Sequence, residues 1–78
     1  MILDVGCSKG YGIYIMSKLC PECKFVGVDL DKKSIELANK VLSKKLSNAT
    51  CLLGDITDES TVEYLRSKYG FFDVITCF

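Results

Sequence analysis

An open α/β sheet of parallel strands, in the order β-α-β-α-β-α-β, is the fold class this sequence predicts. Three observations carry it. Short apolar runs alternate with segments in which apolar residues recur at helical spacing. Glycines and acids stand at the ends of the short runs. The second and fourth runs are nearly continuous in apolar character, as strands covered on both faces are. Strands separated by helices pair in parallel through right-handed crossovers.

Ile2 to Val5 reads as the first strand, followed by the glycine-rich turn Gly6-Cys7-Ser8-Lys9-Gly10-Tyr11-Gly12. Tyr11 to Cys20 reads as a helix with Ile13, Met16 and Leu19 on one face, stopped by Pro21. Phe25 to Asp29 is the second strand. Asp31 is placed to cap a helix running to about Lys45, with Ile35, Ala38, Val41 and Leu42 facing inward. Thr50 to Leu53 is the third strand. Asp58 is placed to cap a third helix, whose apolar face is Val62, Leu65 and Tyr69. Glu59 lies in its first turn, Arg66 and Lys68 lie near its end, and Gly70 terminates it. Phe72 to Phe78 is the fourth strand.

With 78 residues the chain holds one small domain, residues 1–78. A domain of this size buries only about 60% of its unfolded surface, so its stability is expected to be marginal. Ten basic and ten acidic residues cancel, which gives no reason to expect nucleic acid or an anionic membrane as partner. No apolar run approaches the roughly 18 residues of a membrane span, and Met1 leads straight into a strand rather than a signal peptide. The odd count of five cysteines reads as reduced thiols in the cytoplasm or nucleus rather than a disulfide scaffold.

The chemistry gathers at the carboxyl ends of the strands, where open α/β sheets bind ligands. The first strand delivers Asp4 and the glycine turn, whose bare backbone N–H groups are expected near a ligand. About twenty residues further on, Asp29 ends the second strand, where an acid accepts from a ribose diol and repels a 2′-phosphate. The third strand ends in Gly54-Asp55-Ile56. Asp55 suits an exocyclic amine such as that of adenine, with Leu30 and Ile56 as apolar flanks for a flat base.

In these segments the sequence resembles the class I S-adenosylmethionine-dependent methyltransferases, along its whole length. Ile2-Leu3-Asp4-Val5-Gly6-Cys7 is similar to their first motif, and Val26-Gly27-Val28-Asp29-Leu30-Asp31 to their second strand. Leu53-Gly54-Asp55-Ile56 is similar to their third motif, and Phe72-Asp73-Val74-Ile75-Thr76-Cys77-Phe78 to their fourth strand. The resemblance implies a Rossmann-like sheet of order 3-2-1-4, truncated relative to the seven-stranded family fold, and S-adenosyl-L-methionine as cofactor. It implies that Gly6, Cys7 and Gly10 hold the methionine end through backbone contacts. Asp4 then sits beneath the turn and favours the cationic amine. Asp29 takes the ribose hydroxyls, and Asp55 the adenine amine, with the Ile56 N–H on the ring. Ser8 stands where the family has a second glycine; a left-handed conformation there would cost it about 1 kcal/mol or more. The cofactor brings its own leaving group, so no catalytic base is required in this segment. The resemblance leaves the methyl acceptor unidentified.

Two other readings use the same residues. The turn, together with Asp55-Ile56-Thr57-Asp58, also fits an NAD-dependent short-chain dehydrogenase. Against that stand Asp4, where that family is apolar or hydroxylated, and Thr76-Cys77, where it carries asparagines. The other is a catalytically silent remnant acting as a binding or interaction module, favoured by the three strands that the family has and this chain lacks. Cys20-Pro21-Glu22-Cys23 is a lone C-x-x-C closing a helix, with no second pair and no histidine to complete a metal site. Asp73, at the start of the fourth strand, reads as structural. Phe78 argues mildly against relatives that methylate amino groups of bases or proteins. Phe72, Val74, Ile75 and Phe78 would leave the fourth strand as an apolar edge, so self-association through it is expected.

Overall fold

The computed structural model describes residues 1–77; Phe78, and the reading placed on it, lie outside the described residues. The element order is as predicted: β1 Ile2–Val5, α1 Tyr11–Leu19, β2 Phe25–Asp29, α2 Lys32–Lys45, β3 Ala49–Leu53, α3 Glu59–Tyr69 and β4 Val74–Thr76. The strands are parallel and lie in the order β3-β2-β1-β4. One register row runs Cys51–Gly27–Asp4–Thr76 across the whole sheet. It stacks the turn-proximal residues of all four strands.

Side chains alternate between the two faces of the sheet, and each face has its own core. Under α1 and α2, Phe25 and Cys51 meet Ile13, Ile35, Ala38 and Leu42, and Cys7 of the turn joins them. Under α3, Leu3, Val26 and Val28 meet Leu65. Ser17 is buried without penalty because its hydroxyl donates to the Tyr14 carbonyl at 2.7 Å. At the outer edge of the sheet Asn39 of α2 reaches β3. Its amide donates to the Cys51 carbonyl at 2.8 Å, and its oxygen accepts the Cys51 N–H at 2.9 Å.

Several sequence expectations need correction. Helix α1 ends at Leu19 rather than Cys20, and Leu19 is 83% exposed where helical spacing put it on the inner face. Val41 and Val62 are likewise exposed, because each lies at the rim of its stripe, beyond the reach of the sheet. Asp31 and Asp58 occupy the N-cap positions without capping bonds; Asp31 instead accepts the Ser34 hydroxyl at 2.6 Å.

The fourth strand is shorter than expected. Phe72 lies outside it, its ring 6.2 Å from that of Tyr69, against the Leu3 cluster. Ile75 is 62% exposed, so the apolar run of β4 does not mean cover on both faces: among the described residues it is an edge strand.

The reading of five reduced thiols is also corrected. Cys20 and Cys23 are joined by a disulfide, and Cys7, Cys51 and Cys77 are free. The cause is local. The Cys23 N–H donates to the Cys20 carbonyl at 3.1 Å, folding the helix end into a turn that brings the two Cα atoms to 5.5 Å. That separation is within disulfide range. No helix among the described residues is long and apolar enough to cross a membrane.

Candidate functional site

At the carboxyl edge of the sheet a cleft of about 360 Å³ opens between the glycine turn and the loops after β2 and β3. Val5 and Val28 line its apolar floor, with Leu30 and Ile56 as further apolar walls. Asp29 and Asp55 bring the only carboxylates among its lining residues. The structure therefore unites Gly6, Asp29, Leu30, Asp55 and Ile56 around one space. Asp4, Cys7, Ser8 and Gly10 belong to the turn and its support rather than to the lining.

Asp29 ties the two halves together. Its Oδ2 accepts the Ser8 N–H at 2.8 Å and its Oδ1 accepts the Asp31 N–H at 2.9 Å. A carboxylate oxygen has two acceptor sites, so each keeps one for a ligand hydroxyl. Ser8 reaches Asp29 by adopting φ 50, the left-handed conformation that a serine resists. Asp55 is aimed by Thr57. Its Oδ1 accepts both the Thr57 hydroxyl at 2.6 Å and the Thr57 N–H at 2.9 Å, and Oδ2 keeps no partner among the described residues. The Thr57 hydroxyl, then its amide, hold the Asp55 carboxyl below the usual range, so it is ionised as an acceptor at neutral pH.

The expectation of bare N–H groups in the turn is corrected for four of them. Gly6 and Cys7 donate to the Val28 carbonyl at 2.8 and 3.1 Å, Gly10 donates to Cys7, and Ser8 donates to Asp29. Positive φ angles at Gly6, Ser8 and Gly10 turn these donors back onto the sheet. Gly10 requires its glycine twice over: φ is 85°, and a Cβ would stand 2.8 Å from Leu42 Cδ1.

Asp4 lies beneath the turn as expected. It is 4% exposed, and its Oδ1 accepts the Thr76 hydroxyl at 2.9 Å. Burial pushes its carboxyl up from the usual value, and the Thr76 bond opposes that. No basic group lies within ion-pair distance of it among the described residues, where the one ion pair joins the Met1 amine to Asp73.

Three contributors escaped the sequence reading as site residues. Thr57 orients Asp55, and its place two residues after an acid is the signal of a local side-chain turn. Thr76 solvates Asp4, which only the strand order reveals. Gly27 gives Cys7 room to seat the turn, since a Cβ there would meet Cys7 Sγ at 2.7 Å; a glycine inside a strand is the signal for such an approach.

Comparison with known proteins places this arrangement. Residues 1–78 match the family described as methyltransferase domain. The chain belongs to that family. It is 35% identical, over 97% of its length, to the uncharacterized proteins RP028 and RP789 of Rickettsia prowazekii (strain Madrid E). It spans only 28% and 13% of those two proteins. Among solved structures it is similar to PKMT2 from Rickettsia typhi in complex with AdoHcy, at 35% identity and a TM-score of 0.77, covering 97% of this chain and 14% of that one. The plantazolicin methyltransferase BpumL in complex with SAH follows at 31% identity and a TM-score of 0.73, covering 97% of this chain and 26% of that one. The methyltransferase domain reading thus stands, and the dehydrogenase reading is not favoured.

Proposed function

We propose that this chain binds S-adenosyl-L-methionine and forms the cofactor-binding part of an enzyme that transfers a methyl group to an acceptor still to be identified. The observation that carries the reading is the buried Asp4 carboxylate, which has no cation within reach although a four-strand register row and Thr76 hold it in place. A desolvated carboxylate of this kind favours a ligand ammonium. In the turn the N–H groups of Gly6, Cys7, Ser8 and Gly10 are spent internally, while those of Lys9, Tyr11 and Gly12 have no partner among the described residues. The first-turn N–H groups of α1, which a helix leaves without internal acceptors, suit the carboxylate of the same amino acid. Asp29 keeps an acceptor site on each oxygen for the two ribose hydroxyls. Asp55, held by Thr57, offers its free oxygen to the adenine amine, and Leu30 and Ile56 flank the ring. The bound cofactor supplies an electrophilic methyl on a sulfonium that is its own leaving group. These residues bind and orient it.

Further expectations have support of the same kind. The exposed Val74 and Ile75 of β4 favour pairing of that edge with a second copy, which sedimentation at high micromolar concentration tests. Three free thiols favour a reducing compartment such as the cytoplasm or nucleus, while the Cys20–Cys23 disulfide favours an oxidising one.

The function is tested by calorimetric titration of the folded chain with S-adenosylmethionine and, separately, NAD⁺. Binding of S-adenosylmethionine is expected, weakened about 10- to 100-fold in Asp29→Ala, the loss of hydrogen bonds to a charged group. Binding of NAD⁺ alone, or of neither by a chain with native circular dichroism, overturns the reading.

A further inference from the structure

A pair of thiols lies under the turn, and the cofactor reading gives it no task. Cys7 belongs to the turn and Cys51 to β3, with β2 between them. The β2 residue in that row is Gly27, in register with Cys51. The Cys7 side chain fills the space that a β2 side chain would occupy: a Cβ on Gly27 would stand 2.7 Å from its Sγ and 2.8 Å from its Cβ. Neighbouring strands are about 4.8 Å apart, so the two cysteines face each other across one strand spacing. Both are closed off in the same core cluster, at 4% and 2% exposure. The Cys7 thiol donates to the Ser8 carbonyl at 3.8 Å. Its contact with Cys51, with burial, pushes the Cys7 thiol up from its usual value, and the same contact lowers Cys51. Both thiols are closed off at rest, so peroxide reaches Cys51 only when the turn that carries Cys7 opens.

The geometry points to a reversible disulfide site, Cys7–Cys51, formed in response to hydrogen peroxide. The Cys51 thiolate attacks a peroxide oxygen; the O–O bond breaks, hydroxide leaves and a sulfenic acid forms. The Cys7 sulfur then attacks the Cys51 sulfur; the S–S bond forms, the S–O bond breaks and the hydroxyl leaves as water. Two thiols lose two electrons, and one peroxide becomes two waters.

A disulfide requires Cβ atoms about 3.8 Å apart, less than the strand spacing, so closure draws the turn towards β3. Gly6 and Cys7, on the Val28 carbonyl, and Ser8, on Asp29, move with it. Gly6 lines the cleft and Ser8 holds Asp29 of its lining, so the bond lowers affinity for S-adenosylmethionine. That consequence rests on the function proposed above; the pairing itself does not.

The test uses the full chain carrying Cys77→Ser, which removes the exposed free thiol and leaves the Cys20–Cys23 disulfide in place. The chain is treated with hydrogen peroxide, denatured, alkylated, digested and mapped by mass spectrometry. A linked Cys7–Cys51 peptide that dithiothreitol dissolves is expected. Affinity for S-adenosylmethionine is expected to fall about tenfold on oxidation and to recover on reduction. Cys51→Ala, or Cys51→Ser should the first variant misfold, forms no link and keeps its affinity under peroxide. Recovery of Cys7 and Cys51 as alkylated or over-oxidised residues without the linked peptide overturns the site. A linked peptide with unchanged affinity overturns its effect on the cleft. A reduced chain that binds no S-adenosylmethionine counts against the proposed function, while the peptide map still decides the pairing.

Discussion

The face of the sheet under α1 and α2 closes seven residues into one cluster, whereas the face under α3 closes four and leaves Val62, Phe71 and Ile75 open. The difference separates two tasks. The closed face holds the turn: Cys7 seats over Gly27, and Gly10 abuts Leu42 and Ala38. The open face contributes Val5 and Val28 as the floor of the cleft. A loop that must hold a left-handed serine between two positive-φ glycines is fixed to the denser half, and the space for a ligand is left in the looser one.

The sharpest way to break this comparison is a matched pair of truncations. Phe25→Ala on the closed face is expected to cost about 3–5 kcal/mol, which a domain this small barely survives. Leu65→Ala is expected to cost nearer 2 kcal/mol, because the open surroundings of α3 collapse around the loss more readily. Chemical denaturation of both variants decides it, and equal losses would erase the distinction.

Next in size is Gly27→Ala. Its new methyl group collides with Cys7 and Ile13 and is expected to cost about 1–3 kcal/mol while displacing the turn. Calorimetry on the same variant is expected to show S-adenosylmethionine affinity lost together with stability. Loss of stability alone would mean that the closed face does not set the turn.

Asp4→Asn separates binding from folding. Because burial raises the Asp4 pKa above the usual 3.8, the fold prefers the protonated acid. The wild-type chain therefore loses stability relative to Asp4→Asn as pH rises from about that value through the raised pKa. Cofactor affinity moves the other way: it rises with pH over the same window in wild type and is about tenfold weaker in the variant at neutral pH. Melting curves and titrations across pH check both signs.

The smallest effect is expected at Ser8→Gly. Relief of the left-handed serine, offset by the freedom of glycine in the unfolded chain, leaves a gain of about 0.5–1 kcal/mol. No change in melting temperature would show that Ser8 is not strained.

The sequence made most of this legible, for reasons that differ by region. Strand β2 and the acid Asp29 at its end were readable because an apolar run stopping at an acid has few other meanings. Helix α2 was readable from Ile35, Ala38 and Leu42. What escaped depends on neighbours distant in sequence. Leu19 and Val62 keep helical spacing and still face solvent, because periodicity fixes a stripe and not its width. Thr76 acquires its role only when β4 pairs beside β1 and brings its hydroxyl to Asp4. Four of the turn's N–H groups were misread because a glycine-rich sequence fixes flexibility but not which way the amides point.

The Asn39 amide does for β3 what a neighbouring strand would do. It pairs with both the N–H and the carbonyl of Cys51 along the outer margin of the sheet. That margin is thus engaged at Cys51 by a side chain from the protein's own helix, and among the described residues β4 is the other margin. Strand-by-strand assembly with two sticky sides has no end point, and that is how fibrils arise. With a single sticky side it stops after one union, and copies of this chain that paired through β4 would then end as a pair rather than a polymer.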